Sequence, residues 1–145
     1  LYIGILHVDG FNEAYGFVAG DDVFRFASMV LSEGIEARGT PSDFLGHVSA
    51  DDFIIITRAD RAQGVKQHIT DRFANEVGTF YSFRDRERGY IYLEDDIGTE
   101  RQIPLMVLSV GVVTPDMAPF ADIREITEIA AAERRKAADA LLAQA

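Results

Sequence analysis

Between Phe44 and Ile56 the chain reads FLGHVSADDFIII, two runs of β-branched and aromatic residues separated by four turn formers. Such a pattern predicts a tight β-hairpin, with Ser49, Ala50, Asp51 and Asp52 as its turn. The second arm, Phe53 to Ile56, does not alternate, so it is expected to be covered on both faces. A sheet buried to that degree needs helices around it, and it puts two adjacent carboxylates on its rim. Asp-Asp at a hairpin turn is ordinary turn chemistry; the same pair at the rim of a buried sheet can also hold a cation.

The rest of the chain supplies the partners. Leu1 to Val8 is nearly all apolar and stops at Asp9-Gly10, which predicts a second buried strand with His7 and Asp9 on the same side of its end. A helix is expected from Gly20 to about Ala37, with Asp21 as its N-cap and Val23, Phe24, Ala27, Val30, Leu31, Gly34 and Ile35 as its apolar stripe. A second helix begins near Asp60, carrying Val65, Ile69, Phe73, Val77 and Phe80, with His68 off the stripe. Arg84 to Gly89 is predicted as a charged loop. Tyr90–Glu94 and a long strand from Gln102 to Val113 form another hairpin, and Leu105 to Val113 is expected at the centre of the sheet. Pro115 and Pro119 break the chain, and a last helix starts at Asp122. This order predicts one α+β domain over residues 1–145, a largely antiparallel, ferredoxin-like sheet flanked by helices.

Composition narrows the function classes. The 145 residues are 48% hydrophobic and carry a net charge of −10, with no cysteine. A chain of this length buries about 70% of its unfolded surface. Disulfides and thiolate metal sites are excluded, and the acidic balance disfavours nucleic acid and anionic membranes. No apolar run reaches membrane-spanning length and no signal peptide opens the chain, so a cytoplasmic location is expected. Because the chain opens inside an apolar strand without Met, it is expected to be a piece of a longer protein.

The layout HVDGFNEAYGFVAGD, then the hairpin SADDF, then Leu108-Ser109-Val110-Gly111-Val112 and a C-terminal helix resembles a GGDEF domain, the diguanylate cyclase module of bacterial cyclic-di-GMP signalling. The likeness spans the whole chain and is greatest to the response-regulator output domains of that family, in which the segment matching Tyr81 to Pro104 is enlarged. It implies a nucleotidyl-cyclase-like fold and condensation of two GTP on a homodimer, with Mg²⁺ held by acidic residues and an upstream receiver or sensor domain.

Carried over position by position, the resemblance makes Asn12 and Asp21 the guanine-reading pair, with Gly16 and Gly20 between them. Asp51 takes the metal-binding position of the signature and Asp52 the acidic fourth, followed by Phe53. The two signature glycines are replaced by Ser49 and Ala50. The first-strand metal carboxylate is replaced by His7, beside the Val8 carbonyl and Asp9; neutral imidazole is a poor Mg²⁺ ligand. On the last helix Asp139 stands where a phosphate-binding Lys is expected, and Arg134, Arg135 and Lys136 are expected as surface charges. Of the inhibitory Arg-x-x-Asp only Asp43 survives, with Thr40 in the Arg position, and Thr cannot replace a bidentate guanidinium.

Three functions follow. The domain is a degenerate regulatory or dimerising module that binds GTP or another guanine nucleotide without turnover, an active cyclase, or a structural output domain without nucleotide. Loss of a metal carboxylate and a phosphate-binding cation removes contacts whose combined effect on rate is roughly 10⁴-fold or more, which orders the three.

Overall fold

The computed structural model describes residues 1–49, 51–117 and 122–143. The expected turn residue Ala50 and the chain-breaking Pro119 lie outside them. The chain runs β1 (Tyr2–Leu6), α1 (Val8–Tyr15), α2 (Phe17–Arg38), β2 (Phe44–His47), β3 (Asp52–Ile56), α3 (Ala62–Glu76), α4 (Phe83–Arg88), β4 (Tyr90–Glu94), β5 (Glu100–Pro104), β6 (Val107–Gly111) and α5 (Ile123–Ala143). Among the described residues the strands form an antiparallel sheet in the order β2-β3-β1-β6 and a separate β4-β5 ribbon. The α+β architecture with an antiparallel sheet is therefore as expected.

The core lies between the sheet and α2 and α3. Ile3 and Ile5 of β1, Phe53 and Ile55 of β3, Val23, Ala27, Val30 and Leu31 of α2, and Val65, Ile69 and Phe73 of α3 are buried together. Gly34 is required where the helices cross, because a Cβ there would lie 2.4 Å from the Ile69 side chain. On the other sheet face α5 packs over β6 and β1. Gly111 lets the α5 backbone touch the sheet: a Cβ there would lie 2.2 Å from the Arg134 amide nitrogen.

Several elements differ from expectation. β3 is fully covered on one face only: Phe53 and Ile55 are buried, Asp52 and Ile54 on the other face are half-buried, and Ile56 is 54% exposed, because α5 packs chiefly over β1 and β6. The long strand to Val113 is two strands in different sheets; Pro104 ends β5, and β6 is an edge strand, not a central one. β6 is nonetheless buried at Leu108, Ser109 and Val110 because α3 and α5 flank it. The charged stretch Arg84–Gly89 is mostly helical: the Ser82 hydroxyl accepts from the Asp85 amide as N-cap, and Gly89 closes α4 at φ 80. Asp122 caps α5 by accepting from the Arg124 and Glu125 amides at 2.8 and 3.1 Å.

Candidate functional site

The end of β1 is shorter than the apolar run suggests. His7 leaves the strand in the left-handed region, φ 68 and ψ 14, and the chain enters α1 at once. It is the one non-glycine with positive φ among the described residues, a conformation that costs about 1 kcal/mol or more. His7 and Asp9 therefore do not share a strand face. Asp9 is exposed in the first turn of α1, where its charge suits the helix dipole, and Val8 is buried. Asp9-Gly10 is not a turn; Val8, Phe11 and Tyr15, at i, i+3 and i+7, mark the helix. Burial lowers the His7 pKa, so its imidazole is neutral at pH 7. Both residues line a cleft of about 400 Å³ with Ile5, Leu6, Gly10 and Ile103.

The corner between α1 and α2 sets Asn12 against Gly20, the residue before Asp21. Gly16 makes the corner at φ 92 and ψ 163, its amide bonding the Asn12 carbonyl at 2.8 Å. Gly20, one turn into α2, is buried beneath the Asn12 side chain: a Cβ at Gly20 would fall 1.9 Å from Asn12 Oδ1. That oxygen is buried and has no hydrogen-bond partner. Asp21, the next residue, is exposed. It is not the N-cap, since α2 begins at Phe17 with Gly16 in the capping position. Its carboxylate is thus not committed to helix capping.

At the hairpin turn the two carboxylates part, because Asp51 still lies in the turn while Asp52 is the first residue of β3. Asp51 is exposed, its amide bonded to Ser49 Oγ at 3.4 Å. Asp52 turns to the α5 face, where it accepts from the Tyr2 hydroxyl at 3.3 Å and Ser49 Oγ at 3.4 Å. Arg134 reaches within 3.8 Å of the same carboxylate and lies over the Tyr2 ring, 5.5 Å from its centre. Gly4 makes room, since a Cβ there would meet Arg134 Nη1 at 2.7 Å and Asp52 Oδ1 at 3.0 Å. Burial and the Asp52 charge raise the Tyr2 pKa. Arg134 is therefore not a surface charge like Arg135 and Lys136, which are exposed. It stands four residues from both buried Ala130 and buried Ala138, on the inward stripe of α5. That spacing is the signal by which the sequence marks it. Asp139 is exposed.

Asp43 is a turn residue. It accepts from the Thr40 amide at 2.9 Å and from the Thr40 hydroxyl. Desolvation pushes its carboxyl up, but the Thr40 hydroxyl and amide, with Thr57 and Arg61, hold it below the ordinary value.

The segment from Tyr81 to Pro104 clamps α1. Tyr15 donates to Asp85 and accepts from the Ser82 amide at 2.9 Å. Arg101 pairs with Glu13 at 2.8 Å, and Ile103 packs so close to Gly10 that a Cβ there would lie 2.4 Å from it. The helix carrying Asp9 and Asn12 is thus held from outside by α4 and the β4-β5 ribbon. Sequence spacing alone does not reveal this wall, which is built by tertiary contact.

Of the positions expected to hold Mg²⁺, Asp51 is exposed in the hairpin turn, and Asp9 and the Val8 carbonyl lie in the first turn of α1. His7, in place of the first-strand carboxylate, offers an imidazole nitrogen, and Asp52 is engaged by Tyr2, Ser49 and Arg134. No group of three His, Cys, Asp or Glu among the described residues could hold a metal ion. Mg²⁺ asks for near-octahedral oxygen donors, which these side chains do not offer together.

No protein-family model and no curated protein matches this sequence. Solved structures do. The GGDEF domain of DgcB from Caulobacter crescentus, solved in complex with c-di-GMP, matches with a TM-score of 0.60 and 18% identity over 96% of this chain and 70% of that one. A sensory box/GGDEF family protein from Caulobacter crescentus CB15 matches with a TM-score of 0.51 and 18% identity, covering 96% and 76%. The shared architecture reaches from β1 to α5, and the chain is a domain of GGDEF-like fold.

Proposed function

We propose that this domain is a regulatory module of cyclic-di-GMP signalling that binds a guanine nucleotide at the α1–α2 corner and does not turn it over. The observation that carries the proposal is the Asn12 side chain, whose buried Oδ1 has no partner while the amide rests on Gly20 beside the exposed Asp21. Buried polar atoms are rarely left unpaired without a reason. A carboxylate accepts two N–H groups and an amide both donates and accepts, a set complementary to the N1–H, 2-amino and O6 edge of guanine. The absence of turnover is supported by the dispersal of the carboxylates: Asp51 faces solvent and Asp52 faces Arg134.

Mg²⁺ enters this proposal only as a companion of the nucleotide phosphates. The proposed module works in the cytoplasm as a homodimer together with a receiver or sensor domain. Separately, no helix of the described residues is long and apolar enough to cross a membrane.

The test is calorimetric titration with GTP and ATP of the wild type, Asn12→Ala and Asp21→Ala. Losing a hydrogen bond to a charged or buried group costs roughly 1–3 kcal/mol. The wild type is expected to prefer GTP over ATP, and each variant to lose about tenfold or more of that preference. Equal affinity for both nucleotides in the wild type, or unchanged preference in the variants, would overturn the assignment.

A further inference from the structure

Phe17 is the first residue of α2 and is 78% exposed. Large aromatic side chains are usually withdrawn from water, and Phe11, Phe53 and Phe73 of this chain are fully buried. Among the described residues its ring stacks on no other aromatic. Its position is specific. Phe17, Gly20 and Asp21 stand at i, i+3 and i+4 and so share one face of α2. The middle of that face is the bare Cα of Gly20, on which the partnerless Asn12 amide rests. The Asp21 carboxylate and the Phe17 ring are therefore exposed on a helix face whose middle, at Gly20, is covered by the Asn12 side chain, next to the corner that Gly16 makes at φ 92.

Resting on the guanine-nucleotide reading above, we propose that Phe17 is a binding residue, the platform on which the purine ring stacks while Asn12 and Asp21 take its edge. The ring offers a π-face to any base, so Phe17 supplies affinity and the polar pair supplies the choice of guanine. Val18, also exposed at 80%, is turned about 100° away on the helix and lies off this face. It controls for a general effect of apolar surface at the corner.

The experiment titrates GTP and ATP into the wild type, Phe17→Ala, Val18→Ala and Asn12→Ala. Base–aromatic stacking predicts that Phe17→Ala weakens GTP by about 5- to 100-fold. ATP should weaken by a similar factor, leaving the GTP/ATP ratio within about twofold of wild type. Asn12→Ala should change the ratio, and Val18→Ala neither quantity. The chain has no tryptophan, so Phe17→Trp introduces its one tryptophan at the platform, whose emission, excited selectively over the tyrosines, should change saturably as GTP stacks on it. If Asn12→Ala loses GTP but Phe17→Ala binds within about twofold of wild type, and the Phe17→Trp emission is unmoved by saturating GTP, the platform is refuted and the guanine site stands. If the wild type binds no guanine nucleotide, both are overturned together. Because Phe17 is exposed, its variants are expected to fold, and far-UV circular dichroism verifies it.

Discussion

Arg134 and Asp52 face each other at 3.8 Å across the sheet surface above Gly4, each with about four-fifths of its side chain out of solvent. The separation exceeds a hydrogen bond, and Arg134 Nε is buried without a partner. The guanidinium is held as much by the Tyr2 ring as by the carboxylate. The acidic residue that the GGDEF resemblance assigns to catalysis is thereby occupied in fastening α5 to β1 and β3.

Removing the cation leaves Asp52 half-buried with hydroxyl partners alone. Loss of the cation–π contact and of the charge partner predicts that Arg134→Ala destabilises the domain by roughly 1–3 kcal/mol. Arg134→Lys should recover only part of this, because an ammonium does not lie flat on a ring as a guanidinium does. Urea denaturation followed by circular dichroism measures both. A variant as stable as wild type would show that the pair holds nothing.

Gly20→Ala tests the corner without substituting either reading residue. The new methyl would overlap Asn12 Oδ1, so the amide must swing away or α1 must shift. A cost of roughly 1–3 kcal/mol in stability and a loss of about tenfold or more in GTP affinity are expected, by thermal unfolding and calorimetry respectively. Unchanged GTP affinity would mean that the position of Asn12 is irrelevant to the ligand.

The clamp on α1 has a pH signature. Burial raises the Tyr81 pKa from an ordinary 10.0 to about 12, and its hydroxyl oxygen accepts from the Met106 amide at 2.8 Å. A group with a raised folded-state pKa contributes stability that is whole below the unfolded value and is lost as pH climbs through the folded one. Stability should therefore fall between about pH 10 and pH 12, and Tyr81→Phe, though weaker at pH 7, should lack this part of the fall. Parallel pH profiles of the two proteins would contradict the assignment.

Tyr15→Phe removes the hydroxyl that bonds both Asp85 and the Ser82 amide. Asp85 feels desolvation most, but the Tyr15, Arg88 and Ser82 contacts outweigh it and hold its carboxyl below the ordinary range. The variant should raise that pKa toward the ordinary value, visible by NMR titration, and free α4 to exchange its amides faster. An unmoved pKa would show that Tyr15 is not a dominant partner.

Much of this was legible in the sequence. The hairpin of β2 and β3 and the stripes of α2 and α3 follow from periodicity, and they hold because each apolar set meets one core. The family likeness pairs Asn12 with Asp21, and the α1–α2 corner sets Asn12 against Gly20, the residue before Asp21. An unbroken apolar run does not mark a single element. Val8 continued β1 by composition but began α1 by spacing, so the Asp9 end of the site was set on a strand instead of a helix. Leu105 to Val113 looked continuous although Pro104 separates two sheets. Arg134 was grouped with its charged neighbours, yet the alanines four residues to either side put it on the buried stripe. The contacts of α4 and the β4-β5 ribbon with α1 join residues some 70 to 90 positions apart, which no local pattern encodes.

The central claim is a guanine-nucleotide site without turnover. Its most direct test is prolonged incubation of the domain with GTP and Mg²⁺, with binding measured by calorimetry in the same buffer and the products separated by chromatography. Saturable GTP binding and recovery of GTP unchanged are expected. Cyclic-di-GMP in the chromatogram would contradict the claim by restoring an active cyclase, and no binding at high GTP would contradict it by leaving a scaffold without nucleotide.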